Sequence, residues 1–155
     1  MGKILFKAKR TDNGEWVEGY CFKFMDKSYI ADMEMTFMEV FYTEESVVDF
    51  HMRAYEVEAD TLCQHTGFLD KKGHWIWEND IVERIDRRNE IYVFREQPKM
   101  NCKVVWTDRH GYDTEPSCGY FDRKNAYECK VIGNIFDNPN LLGGNIDELL
   151  KGEEG

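Results

Sequence analysis

Short apolar runs separated by turn residues are the feature that most constrains what this chain can fold into. Asn13-Gly14 is a strong signal for a β-hairpin, and a compact turn from Asp70 to Gly73 separates two further apolar runs. Aromatic residues make up 14% of the sequence, and they favour strands over helices. We therefore predict a mostly-β fold, either a small barrel or a rolled antiparallel sheet of about nine short strands. One or two short helices are expected, including one near the C-terminus.

The chain length of 155 residues predicts a single domain over residues 1–155. Within it we expect an antiparallel meander over about 1–33, a core over about 55–142, and a short helix with an acidic tail over about 145–155. Strands are predicted over residues 4–10, 15–25, 28–33, 55–58, 67–69, 75–77, 81–86, 91–94, 102–107 and 128–132.

Two segments are harder to assign. Residues 34–54 fit either a strand or a buried helix, and Thr43 followed by two acidic residues suggests a short helix from Glu44 to His51. The stretch from Asp108 to Gly119 is polar and contains two glycines and a proline. It predicts an irregular surface loop.

Acidic residues dominate the charge of the chain, with 30 Asp and Glu against 20 Lys and Arg and a formal net charge of −10. A field of that sign repels phosphate, so non-specific binding to nucleic acid or to anionic lipid is disfavoured. A solvated surface of mixed charge is the simpler interpretation of the basic residues, and an interaction surface is the alternative. That candidate surface consists of Lys7, Lys9 and Arg10, with Lys3 nearby, and of Arg84, Arg87 and Arg88.

The cysteines and the apolar stretches predict the compartment. Five cysteines at irregular spacing, without a signal peptide, favour free thiols in a reducing cytoplasm. No apolar stretch approaches the roughly 20 residues that a membrane helix requires. We therefore expect a cytoplasmic protein that does not enter the membrane.

Three segments resemble the YopX family of phage and prophage proteins. They run from Phe6 to Tyr20, from Tyr55 to Val82, and from Val131 to Leu142. The middle segment is the most specific, because Gln64-His65-Thr66-Gly67-Phe68-Leu69-Asp70 through Asp80-Ile81-Val82 follows the family pattern closely. Cys63 and Asn79 stand where the family usually has glycine, and asparagine tolerates the left-handed conformation that glycine would adopt there.

The resemblance implies a β-rich domain, an origin in phage or prophage DNA, and a location in the cytoplasm of the bacterial host. The family has no established activity, so no catalytic, cofactor-binding or metal-binding residue is carried over. We interpret its polar signature residues as builders of turns and bends, because such residues usually serve the backbone. These residues are Thr66, Gly67, Asp70, Gly73, Glu78, Asp80, Gly133, Asn134 and Pro139.

Candidate reactive groups carry weak signals. Cys63 and His65, with His74, Cys118 or Cys129, could be imagined as a zinc set, but no Cys-x-x-Cys pair exists. A dyad of Cys63 with His65 or His110 would have to form in space, and carboxylate pairs are uninformative in a chain this acidic. We predict a protein without a cofactor, a metal or a catalytic site.

Aromatic residues alternate along the second predicted strand. Trp16, Tyr20, Phe22 and Phe24 would share one face of the sheet, as core or interface residues or as a platform for stacking bases. We predict a non-enzymatic module that binds a protein partner or self-associates. Binding of single-stranded nucleic acid by a small barrel is the first alternative, and an enzyme with a cysteine or carboxylate site is the second.

Overall fold

The computed structural model describes residues 5–32, 41–42, 48–49, 53–87 and 98–142. In this part of the chain the fold is mostly antiparallel β, which confirms the predicted fold class. The strands are β1 (Phe6–Lys9), β2 (Trp16–Phe24), β3 (Lys27–Asp32), β4 (Phe41–Tyr42), β5 (Val48–Asp49), β6 (Ala54–Val57), β7 (Cys63–Leu69), β8 (Trp75–Trp77), β9 (Asp80–Ile85), β10 (Lys99–Thr107), β11 (Gly111–Glu115) and β12 (Lys130–Asn134). One α-helical turn, α1 (Arg123–Ala126), one 3-10 turn (Ala59–Thr61) and helical residues at 140–142 complete the elements.

Two sheets account for ten of these strands. One has the order β6-β3-β2-β1-β7-β8 and the other the order β11-β10-β9-β12, while β4 pairs with β5. Both orders are open, so the described strands form rolled sheets and no closed barrel. The chain divides into two compact units, residues 1–64 and 65–155, and β7 begins in the first unit and ends in the second. The prediction of a single domain stays a prediction.

The first unit contains the predicted meander. β1 pairs with β2 around the turn that holds Gly14, whose φ of 71° is the left-handed conformation that glycine adopts without strain. The two-residue turn between β2 and β3 consists of Met25 and Asp26, both with positive φ. The predicted strand bounds placed this turn one residue later, at Asp26-Lys27, because Met25 is not a typical residue for a left-handed position.

A small apolar cluster lies on one face of the first sheet. Ala8, Ile30 and Val57 are its buried members. Val17 and Cys21 of β2 pack against it, so the side chains between them on β2 point to the opposite face. Gly19 also lies on the core side, where a Cβ atom would clash with the carbonyl oxygen of Ala31.

The second unit has the larger core. Its buried members come from β8, β9, β10, α1 and the segments on either side of α1: Ile76, Val82, Cys102, Val104, Cys118, Phe121, Ala126 and Cys129. Four of the five cysteines in the chain are buried, and none of the five forms a disulfide. No helix among the described residues is long and apolar enough to cross a membrane.

Several sequence predictions are corrected. The predicted loop from Asp108 to Gly119 contains β11, a polar strand whose residue Thr114 is buried against the rest of the unit. The suggested helix from Glu44 to His51 is wrong at Val48 and Asp49, which form β5. The predicted strand over 91–94 and the predicted helix over 146–150 lie outside the described residues.

A buried carboxylate joins distant parts of the second unit. Asp70 is fully buried in the turn between β7 and β8, and its Oδ1 accepts hydrogen bonds from the backbone N–H groups of Lys72 and His74 at 2.9 and 2.8 Å. Its Oδ2 accepts a hydrogen bond from the N–H of Val131 in β12 at 2.9 Å. Burial opposes ionisation of Asp70, but the three N–H donors outweigh it, and the pKa of the carboxyl is lowered.

Replacement of Asp70 by asparagine tests this arrangement. The side-chain amide of asparagine has one oxygen acceptor, whereas the carboxylate has two, so one N–H donor loses its partner. We expect the free energy of unfolding to fall by about 3 kcal/mol near pH 7. Because the pKa of Asp70 is lowered in the folded state, its stabilisation is present above about pH 3.9 and is lost as the pH falls through the folded-state pKa. Urea unfolding between pH 7 and pH 3 measures both effects.

The control for this experiment is Asp108→Asn at an exposed turn, which we expect to change stability by less than about 0.5 kcal/mol. Equal stability of the Asp70 and Asp108 variants at pH 7 would contradict a structural role for the buried carboxylate.

Arg84 is a buried cation, not a surface residue. Its side chain in β9 is 2% exposed, and its guanidinium donates to Thr114 Oγ1 and to the carbonyl oxygen of Tyr120, both at 2.8 Å. It also lies 5.4 Å from the ring centre of Phe121. The prediction that Arg84 belongs to an interaction surface is therefore wrong, because Arg84 shares the core-facing side of β9 with Val82.

Replacement of Arg84 by lysine keeps the charge and removes the forked donor. One of the two buried acceptors then loses its partner, and we expect a loss of about 2 kcal/mol in the free energy of unfolding. The matched control is Arg87→Lys, since Arg87 is exposed and forms an ion pair with Glu128. Its expected effect is below about 0.5 kcal/mol, and comparable losses in both variants by thermal unfolding would refute the assignment.

Candidate interaction surface

One face of the first sheet carries a row of aromatic side chains. Along β2, Trp16, Tyr20, Phe22 and Phe24 alternate with the residues that face the apolar cluster, and Tyr29 of β3 pairs with Phe22. With Lys7 and Lys9 of β1, these residues define what we call the aromatic face. Tyr20 is 44% exposed and Phe24 is 59% exposed. The sequence placed the four β2 aromatics on one face, and the structure places that face opposite the apolar cluster.

Two lysines lie over the indole at one end of this face. The Nζ atoms of Lys7 and Lys9 are 4.9 and 5.5 Å from the ring centre of Trp16, within the range of cation–π attraction. The strand register produces this arrangement, because Lys9 is directly opposite Trp16 and Lys7 is opposite Glu18.

Ring stacking orders the middle of the aromatic face. Phe22 and Tyr29 are cross-strand neighbours, and their ring centres are 5.4 Å apart with planes inclined by 16°. Such a pair contributes about 1 kcal/mol beyond the area that it buries. The stacked pair therefore lies beside two exposed rings, those of Tyr20 and Phe24.

Charges of both signs border the rings. Lys27 forms an ion pair with Glu56 of β6 at 3.6 Å. Glu18 lies on β2 between Trp16 and Tyr20, opposite Lys7. The aromatic face is therefore mixed in charge, although the chain as a whole carries a net charge of −10.

The structure separates the basic residues that the sequence grouped together. Arg10 forms an ion pair with Asp12 at 2.6 Å and lies 4.1 Å from the ring centre of Tyr55. Arg87 is exposed and paired with Glu128, whereas Lys3 and Arg88 lie outside the described residues. Lys7 and Lys9 are thus the predicted surface residues that share one site.

Most of the predicted turn residues lie at bends of the second unit. Thr66 Oγ1 donates to the carbonyl oxygen of Ile76 and accepts from the N–H of Phe68. Asp80 Oδ2 accepts from the N–H of Trp77 at 2.8 Å, beside Glu78 and Asn79 in the turn before β9. Asn79 has the left-handed φ of 69° that its replacement of glycine suggested.

Glycines occupy two of these bends. Gly67 and Gly73 have φ values of 79° and 80°. Gly133 lies at a bulge in the pairing of β12 with β9, and Asn134 Oδ1 accepts two backbone N–H bonds, from Phe136 and Asp137. Pro139 begins the helical turn that continues at residues 140–142.

Three of the cysteines, Cys102, Cys118 and Cys129, lie together in the core of the second unit. Groups of three or more His, Cys, Asp or Glu side chains that could hold a metal are absent from the described part of the chain. Burial raises the pKa of Cys102, which also lies near Cys118, to about 12, and burial raises that of Cys129 to about 11. A nucleophilic thiol needs a lowered pKa, so the buried environment of these two thiols opposes that role.

A cleft of about 570 Å³ in the second unit contains His110, Asp113 and Ser117. The hydroxyl of Ser117 donates to Asp113 at a long 3.5 Å, and Asp113 also accepts from the N–H of Thr114. These bonds order the polypeptide after β11. A serine nucleophile would instead require a hydrogen bond to a base such as the imidazole.

Comparisons with known proteins locate the chain within a family. The family described as YopX protein matches residues 5–143. Among solved structures, the crystal structure of protein EF1440 from Enterococcus faecalis is similar, with a TM-score of 0.56 and 21% sequence identity. The alignment covers 92% of this chain and 99% of that chain, and at this identity it shows the fold alone.

A search of curated proteins finds no match. The family match covers most of both compact units, and it includes the three segments from which the resemblance was inferred. The chain therefore belongs to the YopX protein family.

Proposed function

We propose that this protein is a non-enzymatic interaction module that binds a partner protein through the aromatic face of its first sheet. The observation that carries the proposal is the exposure of Tyr20 and Phe24 beside the stacked rings of Phe22 and Tyr29. Exposed aromatic residues in a contiguous patch are the side chains that supply most binding energy at protein interfaces.

The charges of the aromatic face specify the chemistry of the partner. Lys7 and Lys9 lie at the β1 side of the rings, and Glu56 of β6 is held by Lys27 at the other side. A partner surface with an apolar centre and charges of both signs at its edge would complement this pattern. We therefore expect a protein ligand whose aromatic or aliphatic residues are bordered by charged ones.

A protein partner fits this surface better than single-stranded nucleic acid does. Nucleic-acid grooves combine stacking rings with a continuous positive track for phosphates. Here Glu18 lies opposite Lys7 and Glu56 pairs with Lys27, so the lysines are interrupted by carboxylates. The net charge of −10 would also oppose the approach of a polyanion.

The biological setting belongs to the same proposal. We infer an accessory protein of phage or prophage origin that works in the cytoplasm of its bacterial host, as expected from the resemblance in the three signature segments. Family membership supports this setting. The raised pKa values of the buried Cys102 and Cys129 thiols support a non-enzymatic role.

Site-specific cross-linking tests the proposal. A photoreactive phenylalanine analogue at position 24, in the aromatic face, should cross-link a discrete protein when the chain is expressed in bacterial cells. The same analogue at position 120, an exposed tyrosine of the second unit, should not capture that protein. Adding Tyr20→Ser should abolish the cross-link from position 24, because the neighbouring ring anchors the partner.

The affinity for the partner identified in this way can then be measured by calorimetry. We expect Tyr20→Ser with Phe24→Ser to weaken binding by about 30-fold or more, and Trp106→Ser with Tyr120→Ser to leave it unchanged. Cross-links to a second copy of the chain would favour self-association instead. Salt-sensitive binding of a fluorescent single-stranded oligonucleotide that is lost in the Tyr20 and Phe24 variant would contradict the proposal. It would show that the aromatic face binds nucleic acid and not a protein.

A further inference from the structure

A second candidate site lies in the second unit and shares no residue with the aromatic face. It is a cleft of about 400 Å³ lined by Gly67, Leu69, Trp75, Arg123 and Tyr127. Trp75 is 51% exposed and Tyr127 is 60% exposed, so two of the most exposed aromatic rings in the described chain border the same cleft.

The hairpin of β7 and β8 supplies one wall. Leu69 and Trp75 are directly opposite each other in the register, so their side chains lie on the same face. The imidazole of His65 packs against the Trp75 ring with centres 4.7 Å apart, and burial lowers the pKa of His65. A neutral ring therefore supports the indole near pH 7.

Gly67 belongs to this wall of the cleft. It lies in the irregular stretch of pairing between His65 and Leu69 and has a φ of 79°. Apart from Gly67 itself and its two chain neighbours, the described part of the chain has no heavy atom within 4 Å of the position that a Cβ atom would occupy. The space beside the backbone is thus available to a ligand.

The turn of α1 supplies the other wall. Arg123 and Tyr127 are four residues apart, and the N–H of Tyr127 donates to the carbonyl oxygen of Arg123 at 3.2 Å. This spacing brings their side chains to the same side of the turn. Asp122 caps the turn by accepting a hydrogen bond from the N–H of Asn125, so the helical turn begins at Arg123.

Arg123 is the charged group in an otherwise apolar and aromatic lining. Among the described residues, no carboxylate forms an ion pair with its guanidinium, in contrast to Arg10 and Arg87. A guanidinium presents a planar set of donors that matches phosphate and carboxylate oxygens. The aromatic rings of Trp75 and Tyr127 present flat faces to a ring.

We propose that this cleft binds a planar ring joined to an anionic group, with the ring against Trp75 and Tyr127 and the anion on Arg123. The volume is within the range of small-molecule sites, roughly 300–1,000 Å³, and suits a ligand the size of a nucleoside monophosphate. The same chemistry occurs in a nucleotide and in an aromatic amino acid with a free carboxylate. The site is independent of the proposed protein-binding function.

Titrations of the full chain followed by two-dimensional NMR test the proposal. Adenosine monophosphate and N-acetyltryptophan serve as the two ligand sources, adenosine as the ring without the anion, and inorganic phosphate as the anion without the ring. We expect at least one of the first two to shift the indole N–H signal of Trp75 saturably below about 10 mM. Trp75→Phe identifies that signal by removing it.

Matched variants separate the site from general binding. Arg123→Gln should weaken the preferred ligand about tenfold and bring its affinity close to that of the uncharged ring. Tyr127→Ala should weaken it similarly, whereas Arg109→Gln and Tyr120→Ala, which change exposed residues outside this cleft, should leave it unchanged. Because all four residues are exposed, we expect the remaining NMR signals to stay in place in each variant.

The proposal is overturned if neither ligand shifts the Trp75 signal saturably, or if adenosine binds as tightly as adenosine monophosphate. It is also overturned if Arg123→Gln binds like the unmodified chain. Preference between adenosine monophosphate and N-acetyltryptophan decides whether the natural ligand is a nucleotide or an aromatic carboxylate. None of these outcomes depends on the aromatic face, so the proposed function stands or falls separately.

Discussion

The second unit depends on one buried carboxylate that is bonded to backbone donors from both ends of the unit's sequence. Asp70 holds the turn after β7 through Lys72 and His74, and it holds β12 through Val131. The N–H of Lys71 adds a parallel bond to the carbonyl oxygen of Cys129. An ionised group can remain in such a dry place only because several N–H dipoles replace its hydration. The same bonds fix the hairpin beside the residues that follow α1, and these two segments form the walls of the Trp75 and Tyr127 cleft.

The first unit differs from the second because its apolar core is small and its largest side chains lie on the opposite face of the sheet. Val17 and Cys21 face the apolar cluster with Ala8 and Ile30, while the aromatic rings of β2 occupy the alternate positions. A sheet that buries aliphatic residues and leaves tyrosine and phenylalanine exposed loses hydrophobic stabilisation that the reverse arrangement would gain. Binding of a partner to the aromatic face would recover part of that stabilisation. This is the physical reason for assigning the interaction to that face and not to the charged loops.

Particular residues show how much of the structure could be predicted from the sequence. Alternation along β2 predicted which aromatic residues share a face, but period-two patterning is symmetrical and does not say which face meets the core. Arg84 was misassigned because Arg87 and Arg88 follow it within four residues. Its position two residues after Val82, on the same face of β9, was the available signal. β11 was missed because Tyr112 and Thr114 are its half-buried and buried residues, and a tyrosine and a threonine among polar residues resemble a loop. The partner of Asp70 at Val131 could not be predicted, since the two residues are 61 positions apart.

The two candidate sites differ in what holds their aromatic residues in place, and this difference bears on what each can bind. On the aromatic face the rings lie on two adjacent strands, and Phe22 stacks on Tyr29 across them, which suits a broad and adaptable protein contact. In the cleft, Trp75 is supported by His65, and Tyr127 is fixed by the α1 turn, so two rings and one guanidinium converge on a small volume. Convergent groups on rigid elements lose little entropy when they order a small ligand, whereas a flat row of rings gains affinity only by covering area. The sheet face is therefore the better surface for a macromolecule, and the cleft is the better site for a single planar anion.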